Sequence, residues 1–355
     1  MGQTPLNKPR CLPYLRIALR FFFIILFCGC LQTLQAQTLG GQAAFTFLDM
    51  PATPRLTALG GINTADPAND IGLAFNNPAL LQPSMHWQLN TVVTAIAADV
   101  KSYHASLGIH SSRLGTTFGW GLHYIDYGSV PQTDAAGNVM GRFMPRDWVM
   151  QVMASRQYLE KWHYGITLKY IQSAYDSYRS NGIAADVGVQ YRDTAAGLSA
   201  SVLAKNMGTQ LKQYVPGQPE DIPFDLQAGI SKRLKQAPFS FSLTAHHLHQ
   251  FDIGYQDPAQ RSKFSMDQLL RHFVLAATVY LGDKVELTAG YNYLRRRELR
   301  IGEGGNGLTG FSLGAVLLLR KLQVQYARSQ YLNNKAYNQF GINLALDQLT
   351  GLGKK

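Results

Sequence analysis

In Trp162-His163-Tyr164-Gly165-Ile166-Thr167-Leu168-Lys169-Tyr170-Ile171-Gln172, large apolar residues take every second position from Trp162 to Tyr170. His163, Gly165, Thr167 and Lys169 fill the places between. A period of two puts each set on one face of a strand. Aromatics bound the apolar face at both ends, as in a lipid-facing band with interfacial girdles. At about 3.3 Å per residue and a tilt near 45°, Trp162 to Tyr170 covers on the order of 19 Å, most of an apolar zone roughly 25 Å tall. The run therefore predicts a membrane-crossing β-strand.

The pattern recurs along the chain. Phe118, Trp120, Leu122 and Tyr124 face away from Thr117, Gly119, Gly121 and His123. Val285, Leu287, Ala289, Tyr291 and Tyr293 likewise oppose Glu286, Thr288, Gly290 and Asn292. Counting such runs from Trp87–Thr94 to Asn338–Leu346 gives about fourteen strands, an even number, as single-chain outer-membrane barrels require. The fold class read from this is all-β, a transmembrane antiparallel β-barrel with its small and polar face turned to the lumen.

Connection lengths alternate as well. Those after even-numbered strands are tight, for example Gly282-Asp283 and Arg320-Lys321. Most after odd-numbered strands are long: Asp126 to Arg146, Ala204 to Pro223, His247 to Arg271 and Arg295 to Gly310. Outer-membrane barrels have short periplasmic turns and long extracellular loops, so both termini are expected in the periplasm.

The N-terminus fits that compartment. Lys8, Arg10, Arg16 and Arg20 precede the apolar block Phe21 to Cys28, and Leu34-Gln35-Ala36 offers a small-residue cleavage site before Gln37. Residues 1–36 thus read as a secretory signal peptide. All three cysteines lie within it, so the mature chain has no cysteine chemistry. Formal charge falls from +11 to +7 once the four basic residues of that segment are gone, leaving 29 basic against 22 acidic residues. That excess is spread through loops and has no basic helix or aromatic-basic motif for nucleic acid. It suits outer-membrane lipid and lipopolysaccharide phosphates.

Residues 37–86 precede the barrel (87–346), which is followed by a short tail at 347–355. Prolines and the Gly60-Gly61 pair argue against a long helix or strand in 37–86. A segment of this size ahead of an even-stranded barrel is expected to fold into the lumen as a hatch. Its motif is Asn77-Pro78-Ala79.

Several stretches carry a resemblance: Gly41-Gln42, Phe45-Thr46-Phe47-Leu48, Thr57-Ala58-Leu59-Gly60-Gly61 and Asn76-Asn77-Pro78-Ala79-Leu80-Leu81. Tyr124-Ile125-Asp126-Tyr127-Gly128, Lys205-Asn206-Met207-Gly208 and Pro223-Phe224-Asp225-Leu226-Gln227-Ala228-Gly229 follow in order. Across residues 40 to 345 the chain resembles the PorV/PorQ family of type IX secretion system barrels, a group related to long-chain fatty-acid transporters. The resemblance implies a fourteen-stranded barrel that is not an enzyme and needs no cofactor. It further implies a place in the attachment complex that receives secreted cargo and links it to lipopolysaccharide, with a PorZ-like surface protein held by the extracellular loops. The alternative function is passive uptake of a hydrophobic ligand.

Other residues were weighed for chemistry. Arg295, Arg296 and Arg297, with Tyr214 and Tyr255 as aromatic anchors, are the candidate partner-binding set, because interface hot spots favour Tyr and Arg. His246, His247 and His249 have no carboxylate pair at ligand spacing and read as a solvated loop edge, so no metal is expected. Asp66, Asn69 and Asp70 read as turn formers, and Gly302 to Gly307 as a hairpin tip without the Lys-Ser/Thr of a phosphate loop.

Overall fold

A computed structural model describes residues 43–97, 99–253, 265–299, 307–332 and 335–350. The expected signal peptide, Tyr255, Arg300, the glycine run from 302 to 306 and the end of the tail lie outside the described residues. Among those described, no helix is long and apolar enough to cross a membrane.

Fourteen strands close into one antiparallel barrel. They are β1 (Gln88–Ala97), β2 (Val100–Ser111), β3 (Thr116–Asp126), β6 (Arg146–Tyr158), β7 (Trp162–Tyr175), β8 (Tyr178–Asp193), β9 (Leu198–Lys212), β10 (Asp225–Arg233), β11 (Phe239–Ala245), β12 (Phe273–Leu281), β13 (Val285–Asn292), β14 (Phe311–Leu318), β15 (Leu322–Leu332) and β16 (Lys335–Ala345). Pairing of β1 with β16, from Gln88 opposite Ala345 to Ala95 opposite Asn338, removes the free edges. The remaining two strands, β4 (Val130–Thr133) and β5 (Val139–Phe143), form a separate ribbon within the connection from β3 to β6.

Burial alternates along β7 as the sequence predicts, with the sense inverted relative to a soluble protein. Ile166 is 51% exposed and Leu168 60% exposed, while Thr167 is fully buried. Large apolar side chains on the outside are stable only against lipid, so the wall is of the outer-membrane type. Leu168→Arg should therefore destabilise the barrel by about 2–4 kcal/mol, whereas Thr167→Val on the inner face should cost far less. Urea titration of heat-modifiable gel mobility in detergent checks this; equal losses at the two positions would contradict the outward band.

Sequence alternation predicts strands over Ala184–Tyr191 and Leu198–Leu203; the structure extends these to β8 and β9, at Tyr178–Asp193 and Leu198–Lys212. A register shift between Ala185 and Val187, and Asn206 at φ 59°, interrupt the alternation there without ending the pairing. The loop expected from Ala204 shrinks accordingly to the stretch after Lys212.

The six connections after β2, β6, β8, β10, β12 and β14 are short and share one barrel end; the other end carries the four long connections together with the short ones from β1 to β2, β7 to β8 and β15 to β16. β1 begins and β16 ends at the short-turn end. Ala44, in contrast, donates its backbone N–H to Asp221 O (2.8 Å), within the long connection after β9. The first described residues of the luminal segment therefore lie at the long-loop end. From Ala43 the chain descends through the lumen to Met85 and joins β1.

Candidate functional site

The luminal segment is built from brief turns. A 3-10 turn at Thr46–Asp49 is followed by helical turns at Pro54–Ala58 and Ile71–Ala74, then 3-10 turns at Pro78–Leu80 and Pro83–Met85. Side-chain capping explains the starts at Pro54, Ile71 and Pro78. Thr53 Oγ1 accepts from Leu56 N (3.4 Å), Asp70 Oδ1 from Gly72 N (2.9 Å) and Asn77 Oδ1 from Ala79 N (3.0 Å), and Pro54 and Pro78 open their turns. None of these turns is long enough to be stable alone, so wall contacts hold them.

Those contacts come from around the barrel. Gln151 on β6 donates to Phe75 O (2.8 Å), and Ser201 on β9 to Thr64 O (2.6 Å). Ser312 on β14 donates to Ala58 O (3.2 Å), and Gln339 on β16 to Pro51 O (2.9 Å). Asp70 is fully buried and receives Gln325 Nε2 (2.7 Å) and Asn343 Nδ2 (2.8 Å) from β15 and β16. Asp70 is thus an anchor between segment and wall, beyond the turn-forming role expected of it, while Asp66 acts through Arg55 of the same segment. Asp66 and Glu286 on β13 flank the Arg55 guanidinium at 3.2 and 2.6 Å, all three side chains being nearly inaccessible.

Asn77, Pro78 and Ala79 are buried against β7 to β9. Asn77 Nδ2 donates to Thr64 O (2.8 Å) and Ser201 Oγ (3.3 Å). The wall is cut to receive them: a Cβ on Gly165 would fall 2.5 Å from Pro78 O and 2.7 Å from Ala79 N. A Cβ on Gly290 would likewise lie 2.5 Å from Ala58 O. The small inner-face residues legible in the sequence are notches for the backbone of the segment.

What remains open is a narrow cleft between segment and wall, lined by Phe47, Leu48, Met50, Phe75 and Val149 with the side chains of Lys169 and Lys205. It has room for water-sized occupants on the order of one or two. Lys169 is paired to Asp186 (2.7 Å) and donates to Asn206 Oδ1 (2.7 Å). Asn206 N in turn donates to Asp186 Oδ1 (2.7 Å), which gives the Lys205-Asn206-Met207-Gly208 stretch its structural role.

The expected partner-binding residues fare differently. Arg295 is only 9% exposed and points into the barrel, its Nη1 donating to Ser329 Oγ (3.2 Å). This overturns its place on an exposed docking surface: the turn Tyr293–Glu298, capped by Asn292, folds the residue inward. Arg297 is exposed but paired to Asp267 (3.1 Å). Asp267 also accepts from Tyr293 Oη (2.6 Å) and Arg271, and that phenol foremost holds its carboxyl below the usual range. Arg296 is half-buried. Tyr214 is half-buried too and packs its ring 6.3 Å from Phe45 and 6.2 Å from Tyr175, a contact to the luminal segment.

Exposed apolar residues at the long-loop end lie elsewhere, Met266 and Leu308 among them. Val139, Met140 and Met144 on and beside the β4–β5 ribbon are 66%, 73% and 73% exposed. Asp134 closes this ribbon, accepting from Ala136 N (2.9 Å) and Asn138 N (2.8 Å). The turn Asp134-Ala135-Ala136-Gly137-Asn138 is a hairpin signal lying within the long connection from Asp126 to Arg146.

No protein-family model matches the chain, and no curated protein matches it in sequence. Among solved structures, the chain is similar to the TodX ΔS2S3 mutant, a monoaromatic hydrocarbon channel, at 12% identity and a TM-score of 0.49, covering 82% of this chain and 96% of that one. It is similar to the CymD monoaromatic hydrocarbon channel at 15% identity and 0.48, covering 85% and 97%, and to the KdgM porin at 5% and 0.35, covering 72% and 98%. These likenesses concern the barrel and carry nothing about what it handles.

Proposed function

We propose that this protein is a non-conducting outer-membrane barrel that serves as a surface anchor in type IX secretion, holding a PorZ-like protein at its long-loop end, which faces outward. The observation that supports a closed anchor is the luminal segment itself, notched into the wall and hydrogen-bonded to strands around the barrel. The short-turn end then faces the periplasm. The adaptable, exposed Met140 and Met144 suit a protein partner better than the engaged Arg295 and Tyr214.

A second reading, passive uptake of a hydrophobic ligand, draws on one feature: an apolar-lined cleft bordered by Lys169 and Lys205 runs between the luminal segment and the wall, and displacement of the segment would enlarge it. Deleting the gene and scoring two outputs in the same cells separates the readings. Surface loss of the PorZ-like protein with normal uptake of a labelled long-chain fatty acid supports the anchor. Normal display with impaired uptake supports the transporter. Complementation with Met140→Glu/Met144→Glu should restore the barrel but not partner retention; full retention would move the docking surface off the ribbon.

A further inference from the structure

Near the long-loop end, the β10–β11 hairpin brings together three groups that are far from ligand spacing in sequence. Neighbouring strand residues ordinarily point to opposite faces. His247 departs from this because it adopts φ 53°, in the left-handed region. Its ring is thereby turned toward His246, with Nδ1 to Nδ1 at 2.6 Å. Asp225, at the start of β10, accepts the His247 backbone N–H at 2.6 Å and sets Oδ1 3.9 Å from His247 Nδ1. The expectation of a solvated loop edge is thus overturned: His246 is fully buried, and a carboxylate arrives from the adjoining strand.

We propose that Asp225, His246 and His247 form a binding site for a divalent transition-metal ion of the zinc class. Their three ligand atoms lie within 4.8 Å of one another, and two imidazoles with a carboxylate suit zinc and its neighbours better than magnesium or calcium. Without a metal, two neutral rings facing nitrogen to nitrogen share one proton, and only one lone pair is used. A metal engages both lone pairs, with each ring protonated on Nε2. Metal–nitrogen bonds of about 2.0–2.1 Å set a tetrahedral N···N edge near 3.3 Å, so the rings must part by about 0.7 Å from their present spacing. His247, the half-buried ring of the two, is the one that would move.

The surroundings are also arranged. Gln227 Nε2 donates to Asp225 Oδ2 at 2.6 Å, orienting the carboxylate as outer groups do around metal ligands. His249 stands nearby with its ring 5.9 Å from that of His247, outside the three-ligand group. A bound ion would pin the connection after β11 to the start of β10.

The test uses the full chain purified in detergent without a polyhistidine tag, stripped with chelator and titrated with Zn²⁺ by calorimetry. One ion per chain is expected. Asp225→Asn, His247→Gln and the double variant His246→Gln/His247→Gln should each weaken binding at least roughly tenfold. His110→Gln, which alters a histidine at the opposite barrel end, should bind as the parent does. Heat-modifiable mobility verifies that each barrel is closed, and half-buried His247→Gln carries the test if the double variant does not fold. The absence of saturable one-to-one binding, undiminished binding by His247→Gln, or an equal loss in His110→Gln would overturn the site.

Discussion

The double variant Gly165→Val/Gly290→Val is expected to open the barrel. At both positions the nearest atoms are the backbone of the luminal segment: Pro78 O and Ala79 N at Gly165, Ala58 O and Leu59 C at Gly290. Backbone cannot rotate out of the way as a side chain can. Neither glycine has a positive φ, so valine is compatible with strand pairing in β7 and β13. The conflict therefore falls on the segment, and overpacking of this kind costs about 1–3 kcal/mol per site. Displacing the segment leaves a fourteen-strand lumen, wider than the eight-strand barrels that side chains alone fill, so ionic conductance in planar bilayers should rise roughly tenfold or more. Heat-modifiable mobility should be retained. A closed wall with unchanged conductance would refute the keyed segment, and a parent protein that already conducts freely would remove the closed-lumen argument for an anchor.

Arg55→Met should cause the largest loss of stability. Its guanidinium is the shared cation for Asp66 and Glu286, at 3.2 and 2.6 Å, in a site where none of the three side chains is more than 11% exposed. Removing one member strands two buried carboxylates, which typically costs 3–5 kcal/mol. Because Asp66 belongs to the luminal segment and Glu286 to β13, the damage should include detachment of the segment from the wall. The triple variant Arg55→Met/Asp66→Asn/Glu286→Gln removes the charges together and should recover most of the lost denaturation midpoint in detergent. If single and triple variants are equally destabilised, Arg55 acts through packing of its stem and not through the ion triad.

How far the molecule was legible follows from the range of each interaction. Alternation is a property of neighbouring residues, so Trp162 to Tyr170 and Phe118 to Tyr124 revealed an outward apolar face, and the number of such runs revealed fourteen strands. Connection length is equally local, and its alternation placed the long loops at one end. Where a local rule was broken, the reading faltered: Asn206 in a left-handed conformation and the irregularity near Asp186 cut β8 and β9 short. The Asp134 turn carries a local hairpin signal even though it sits inside the long connection from Asp126 to Arg146.

By itself, then, the sequence determined the wall: which face meets lipid, how many strands close it, and that small inner residues leave space inside. Only the tertiary structure decided what fills that space and which side chains meet. Glu286 is distant in the chain from Arg55 and Asp66, as Asp225 is from His246, and neither grouping leaves a periodic trace. Their meeting depends on hairpin register and on the path of the luminal segment across the barrel. The same closure turned Arg295 from an expected surface cation into an interior one, because the direction a side chain takes after a strand ends is set by the turn that follows. Periodicity encodes faces, whereas register and chain path encode partners.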